Sequence, residues 1–220
     1  MHNIMFNKKN KHSAPLECGY SILMKNADAM IEGKSKEDQI FVLTYIINVV
    51  IDDLCHSTAS NVLQKENAGS VMHFMPTSYY NQQGKSICIA SGEKLDVNLS
   101  DANVYSYPYD KAKIVRSLFD LRDEPFVYNK NNHFADYYTD IDICRINNGM
   151  HHIHMGKYYK KGIIKADVQR TELLYPHYTT DGQYWYETQT GNKTKVEDFR
   201  IAALFSLAQM RYNIKLCPNK

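Results

Sequence analysis

Few foldings are open to residues 141–168. Ile141 to Ile146 alternate as a strand, with Ile141, Ile143 and Arg145 on one face and Asp142, Cys144 and Ile146 on the other. Asn148-Gly149 then marks a tight turn, because glycine takes backbone angles that other residues avoid. A helix-compatible run, Met150 to Lys160, carries His151, His152 and His154; Gly162 ends it, and Ile163 to Val168 reads as another strand. This order constrains more than any single residue in it, and it calls for an α+β fold.

The rest of the chain fits around that core. A length of 220 residues suits one domain that buries its own core. Residues 1–16 read as a flexible arm, rich in Asn, Lys and His and without periodicity. Residues 17–220 read as the single α+β domain, with a helical layer over 17–66. A short helix covers Tyr20 to Ile31. Ser35 and Asp38 resemble a capping box, and the apolar run that follows to Leu54 predicts a helix greasy on most sides and therefore central. Ser70 to Met75 and Ser86 to Ala90 read as short strands joined through a Gln-Gln-Gly turn. Pro108 opens a helix with Ala112, Val115, Leu118 and Phe119 on one face, ending before Pro125. Phe126 to Tyr128 reads as a strand and Asn129 to Asn132 as a turn. Gln183 to Gln189 is strand-like. Thr194 and Glu197 suggest a second capping box, before a last helix whose apolar stripe includes Val196, Ala203, Leu204, Leu207 and Ala208.

A formal charge of +2 gives no strong electrostatic pull toward nucleic acid. The lysine runs at 8–11 and 157–161 are too short to mean more than solvated faces. Five scattered cysteines without a CxxC pair are simplest as free thiols in a reducing compartment, so a cytoplasmic location is expected. Met1 to Ser13 lacks the apolar core of a signal peptide. The most apolar stretch, Ile40 to Ile51, is too short to span a membrane, so no membrane partner is expected.

The segment Arg145-Ile146-Asn147-Asn148-Gly149-Met150-His151-His152, its helix to Lys161, Gly162 and the strand Ile163-Ile164-Lys165-Ala166-Asp167-Val168 resemble the core signature of the ParB/sulfiredoxin-like superfamily. There a strand ends in a D/N-G-x-H-R turn, followed by a helix, a glycine and a strand. The helix Asp110 to Leu121 and the strand Phe126-Val127-Tyr128 sit where those domains place a helix and a strand, so the resemblance covers roughly residues 105–170. The chain also resembles uncharacterised bacterial proteins with an N-G-x-H motif. The resemblance implies a small mixed sheet, packed here against an N-terminal helical layer and a C-terminal helix. It also implies that the turn holds a nucleotide's phosphates, with Gly149, His151 and His152 beside them. Two positions depart from the pattern. His152 stands where the family has arginine, which removes a bidentate cation. Met150 precedes the first histidine where sulfiredoxins have cysteine, so their thiol chemistry has no nucleophile.

The physics of the turn points the same way. A helix N-terminus presents unpaired amides and a partial positive charge, where phosphate binds readily. The candidate catalytic residues are therefore His151 and His152, with Asn148, Gly149, Met150 and Arg145 as ligand-binding residues. The ligand is a nucleotide, with Mg²⁺ as its companion, or a nucleic-acid phosphate, and phosphotransferase or nuclease chemistry follows. A second arrangement uses His133, His151 and His154 as a Zn²⁺ site for metal-dependent hydrolysis. Taken singly, each histidine fits a structural role better than a catalytic one, His154 on a helix face and His133 capping a turn; for Arg145 a surface ion pair and an anion contact weigh equally. A third reading is a non-enzymatic protein-binding component of a bacterial defence or immunity system. Tyr184, Trp185 and Tyr186 read as strand packing rather than a base-stacking platform.

Overall fold

The computed structural model describes residues 16–64 and 73–217. Two helices open it, α1 (Leu16–Ile31) and α2 (Lys36–Gln64). At the start of α2, Ser35 Oγ accepts from the Asp38 amide at 3.1 Å and donates to its carboxylate at 2.8 Å, the expected capping geometry. The helix runs ten residues past Leu54. At 29 residues it is long and apolar enough, by length and composition alone, to cross a membrane, beyond what the run to Ile51 suggested. Leu43, Ile47, Val50, Ile51, Leu54 and Val62 are buried at helical spacing, and that stripe packs on the C-terminal helix, α5 (Phe199–Leu216). The helix is apolar on most sides but not central: Phe41, Tyr45 and Val49 face outward.

The central sheet has five strands: β3 (Ala90–Asn98), β4 (Val104–Tyr105), β5 (Phe134–Tyr138), β6 (Ile143–Asn148) and β7 (Ile163–Gln169). Their order is β3-β7-β5-β6-β4; β7 pairs antiparallel with β3 and parallel with β5, and β6 pairs antiparallel with β5 and parallel with β4. Alternation along β6 sorts its side chains between two cores. Ile143 joins Tyr105 and Tyr138 against the layer of α2 and α5; Cys144 and Ile146 join Val104, Ala135, Ile164 and Ile153 on the other side. Ile153 belongs to α4 (Met150–Tyr158), which packs beside α3 (Lys111–Asp123). The protein is thus α+β: a mixed sheet between two helical layers, with two small antiparallel sheets attached. One pairs β1 (Ser78–Tyr80) with β2 (Ser86–Cys88) through the expected Gln-Gln-Gly turn. The other joins β8 (Tyr178–Thr180), β9 (Tyr184–Glu187) and β10 (Lys193–Lys195). Buried Trp185 packs edge-on against Phe205 at 5.3 Å, which is the packing role read from the sequence.

Several local expectations need correction. The arm 1–16 lies outside the described residues except for Leu16, and so does 70–72; His73 to Met75 form a bend without strand pairing. Phe126 to Tyr128 pairs with no strand, and Phe126 lies against α4 at Gly156 instead. The inward face of α3 is Ile114, Leu118 and Leu121, not Val115 and Phe119, which are exposed. Thr194 pairs with Trp185 in β10, and the true cap of α5 is Asp198, whose carboxylate accepts from the Arg200 amide at 3.0 Å.

Candidate functional site

Gly149 makes the turn, at φ +75°, and leads directly into α4 with no side-chain cap. A side chain there would be strained by its backbone angle and would collide with the loop behind it: an added Cβ would lie 2.5 Å from His133 Cδ2 and 3.0 Å from the Asn132 carbonyl oxygen. The close approach is what brings the turn, the 129–133 loop and α4 together. Asn148 Nδ2 donates to Asn132 Oδ1 at 3.2 Å across the same gap.

A cleft of ≈ 380 Å³ opens in front of this turn. Asn148, Gly149, Met150, His151 and His152 form one wall, with Asn132 beside them; Tyr109, Lys113, Arg116, Ser117 and Asp120 of the α3 side form the other. The two cations are lightly held. Lys113 lies 3.9 Å from Asp110 and Arg116 lies 3.7 Å from Asp120, and the Arg116 side chain is 85% exposed. Pairs of this kind contribute little in water and yield readily to a better anion.

The imidazoles are held in different ways. His151 Nε2 accepts from the backbone amides of Tyr109 at 3.3 Å and Asp110 at 3.1 Å. His133 Nδ1 accepts from the Asn129 amide at 3.1 Å, and His133 Nε2 lies 3.3 Å from His152 Nδ1. Phe126 stacks on His152 with ring centroids 4.8 Å apart and planes 19° apart. It can do so because it rides over two glycines: an added Cβ at Gly162 would lie 2.3 Å from its ring and one at Gly156 2.9 Å. His154 is turned away and hydrogen-bonds Ser106 Oγ at 2.9 Å.

Electrostatics keep these rings neutral at pH 7. Burial pushes His133 down to about 4, and the neighbouring His152, whose protonation would compete with its own, adds to the effect. Burial also lowers His151, helped by Lys113 and opposed by Asp110. Burial lowers His152, with Asp120 opposing, and lowers His154, helped by His151. The cleft's formal positive charge therefore comes from Lys113 and Arg116.

A model described as "Family of unknown function (DUF6710)" matches residues 3–216. The chain belongs to this family. No curated protein and no solved structure matches it.

In this DUF6710 chain the structure gathers five of the sequence-derived candidates, Asn148, Gly149, Met150, His151 and His152, into one cleft. It places the other three elsewhere. Arg145 shares the β6 face of Ile143, and so lines a different cavity of ≈ 290 Å³ with Phe74, Tyr178 and Trp185. His133 sits behind His152 and borders a third cavity with Tyr128, Lys130 and Lys165. His154 bonds Ser106. The Zn²⁺ set of His133, His151 and His154 is therefore not assembled, since each ring is committed to a different partner. Among the described residues no group of three or more His, Cys, Asp or Glu is placed to hold a metal.

The residues that the DUF6710 sequence did not single out are Lys113, Arg116, Ser117 and Asp120. Their signal was present: they stand at i, i+3, i+4 and i+7 of α3, one continuous polar stripe.

Proposed function

We propose that this protein binds a phosphate-bearing ligand, a nucleotide or a nucleic-acid phosphate, in the cleft between α3 and the Asn148-Gly149 turn. The observation that carries the reading is the second wall. The turn lacks the arginine of the superfamily it resembles, and Lys113 and Arg116 of α3 supply cations to the same cleft. Guanidinium and ammonium groups beside helix-terminal amides are a good match for phosphate. The volume suits a small organic ligand. The resemblance of residues 105–170 to ParB/sulfiredoxin-like domains supports the same choice. His151 and His152 line the same cleft as these cations, and phosphoryl transfer or phosphodiester cleavage is the chemistry we favour. Isothermal titration of the purified protein with a nucleotide panel, with and without Mg²⁺, tests the proposal. Binding that weakens about tenfold in Arg116→Ala is the expected result; no heat with any nucleotide overturns it.

We also infer a cytoplasmic location, supported by the free thiols of Cys55, Cys88, Cys144 and Cys217. A protein-binding role has one observation on its side, the outward stripe of Phe41, Tyr45 and Val49 on α2. If Phe41→Ser with Tyr45→Ser abolishes cellular activity while His151→Ala and His152→Ala leave it intact, that role is the better account.

A further inference from the structure

We infer that the cleft selects a terminal phosphate, the dianion of a phosphomonoester, over an internal phosphodiester, because backbone amides lock its two histidines into tautomers that can only donate. This rests on the phosphate reading above and narrows it to a ligand class.

The tautomers follow from the hydrogen bonds. The Asn129 amide donates to His133 Nδ1, so that nitrogen carries no proton. A neutral imidazole holds one proton, so His133 carries it on Nε2. It must therefore donate to His152 Nδ1, 3.3 Å away, since the reverse would require His133 to hold no proton at all. His152 then carries its own proton on Nε2, its remaining ring nitrogen. At His151 the amides of Tyr109 and Asp110 both donate to Nε2, which leaves the proton on Nδ1. Each ring that lines the cleft thus presents one N–H, and His133 is the positioning residue that decides this for His152.

The two rings that carry these N–H groups line the cleft together with Lys113, Arg116 and Ser117. The carboxylate lining it, Asp120, lies 3.7 Å from Arg116. A diester offers two non-bridging oxygens and one negative charge. A monoester offers three oxygens and up to two charges, and so satisfies more of these donors.

The test has two independent arms on the native protein. In the first, two-dimensional ¹⁵N–¹H correlation of the imidazole rings at pH 7 reads the tautomers: His133 and His152 should be Nε2-protonated and His151 Nδ1-protonated. A His152 protonated on Nδ1, or doubly protonated, overturns the inference. In the second, the protein is titrated with inorganic phosphate, a nucleoside 5′-monophosphate and its 3′,5′-cyclic diester. One or two lost charge-assisted hydrogen bonds predict roughly 10- to 100-fold weaker binding of the cyclic diester than of the monophosphate. Equal affinity overturns the selectivity and leaves the phosphate reading standing; no binding by any of the three overturns the phosphate reading itself. His133→Phe, folded by circular dichroism, should cut the monophosphate preference about tenfold and change the His152 tautomer signal. An unchanged preference and signal in that variant would remove His133 from the role.

Discussion

A methyl group at position 149 would meet the His133 ring at 2.5 Å, on a backbone already at φ +75°. Gly149→Ala should therefore cost about 1–3 kcal/mol of stability, through both strain and the displaced ring. Urea unfolding measures the loss, and the same variant should weaken ligand binding, because the His133–His152 contact cannot survive the shift. Arg116→Ala belongs to the same scale with the opposite signature. The side chain is 85% exposed, so stability should stay within about 0.5 kcal/mol while affinity for a phosphate ligand falls about tenfold. That loss should shrink as salt is raised. Half of the cleft was legible in the residues themselves: an Asn-Gly turn ahead of paired histidines marks one of its walls. The α3 wall was hidden by a misjudged face. Val115 and Phe119 look like core residues at helical spacing, yet Arg122 covers the Phe119 ring at 5.2 Å and the helix packs through Ile114, Leu118 and Leu121. Rotating the inward face by one position is what exposes Lys113, Arg116, Ser117 and Asp120 as a group.

At the scale of elements, α5 offers a direct comparison between two capping schemes. Asp198 accepts from the Arg200 amide, and its carboxylate also pairs with the Arg200 guanidinium at 2.5 Å; that guanidinium reaches Asp53 of α2 at 3.0 Å. Asp198→Ala should cost about 1–2 kcal/mol, whereas Thr194→Ala should stay within about 0.5 kcal/mol, because Thr194 lies in an exposed strand and caps nothing. Thermal unfolding of the two variants side by side checks the pair. The Thr194/Glu197 spacing imitated a capping box closely enough to mislead, and only strand pairing with Trp185 tells the two apart. Strand β3 went unread for a different reason. It lies at the sheet edge, with Lys94 and Asp96 paired to Asp167 and Lys165 of β7 and Val97 its one buried residue, and its alternation of Leu95 and Val97 with Lys94, Asp96 and Asn98 is confined to its second half. The strands β6 and β7 were legible because apolar residues mark their buried positions: β6 is covered on both faces, and β7 buries Ile164 and Ala166 between exposed Ile163, Lys165 and Asp167.

For the whole molecule, the neutral histidines set a dependence on acid. His133 titrates near 4 in the folded chain against an ordinary value of 6.5. Between those values the unfolded chain binds more protons than the folded one, so its contribution to stability is complete above pH 6.5 and is lost progressively as pH falls toward 4. His151, His152 and His154 are lowered in the same direction and add to the slope. Urea midpoints measured from pH 7 to pH 4.5 should fall steadily, and His133→Phe should flatten the curve while lowering its plateau. The architecture also keeps two sets of residues apart. Arg145 and the turn histidines are near neighbours in sequence, yet β6 sends Arg145 toward α2 and α5 and sends the chain after it toward α3.

Phe126 and His133, which aim the His152 ring, both come from the stretch between α3 and β5, and that stretch contains neither helix nor strand. It lies on bare backbone at Gly156 and Gly162. The orientation of the His152 ring is thus set by a strap laid over the helix as well as by the helix that carries it. Shortening that strap would turn the His152 ring while leaving the α3 and α4 residues that line the cleft in place.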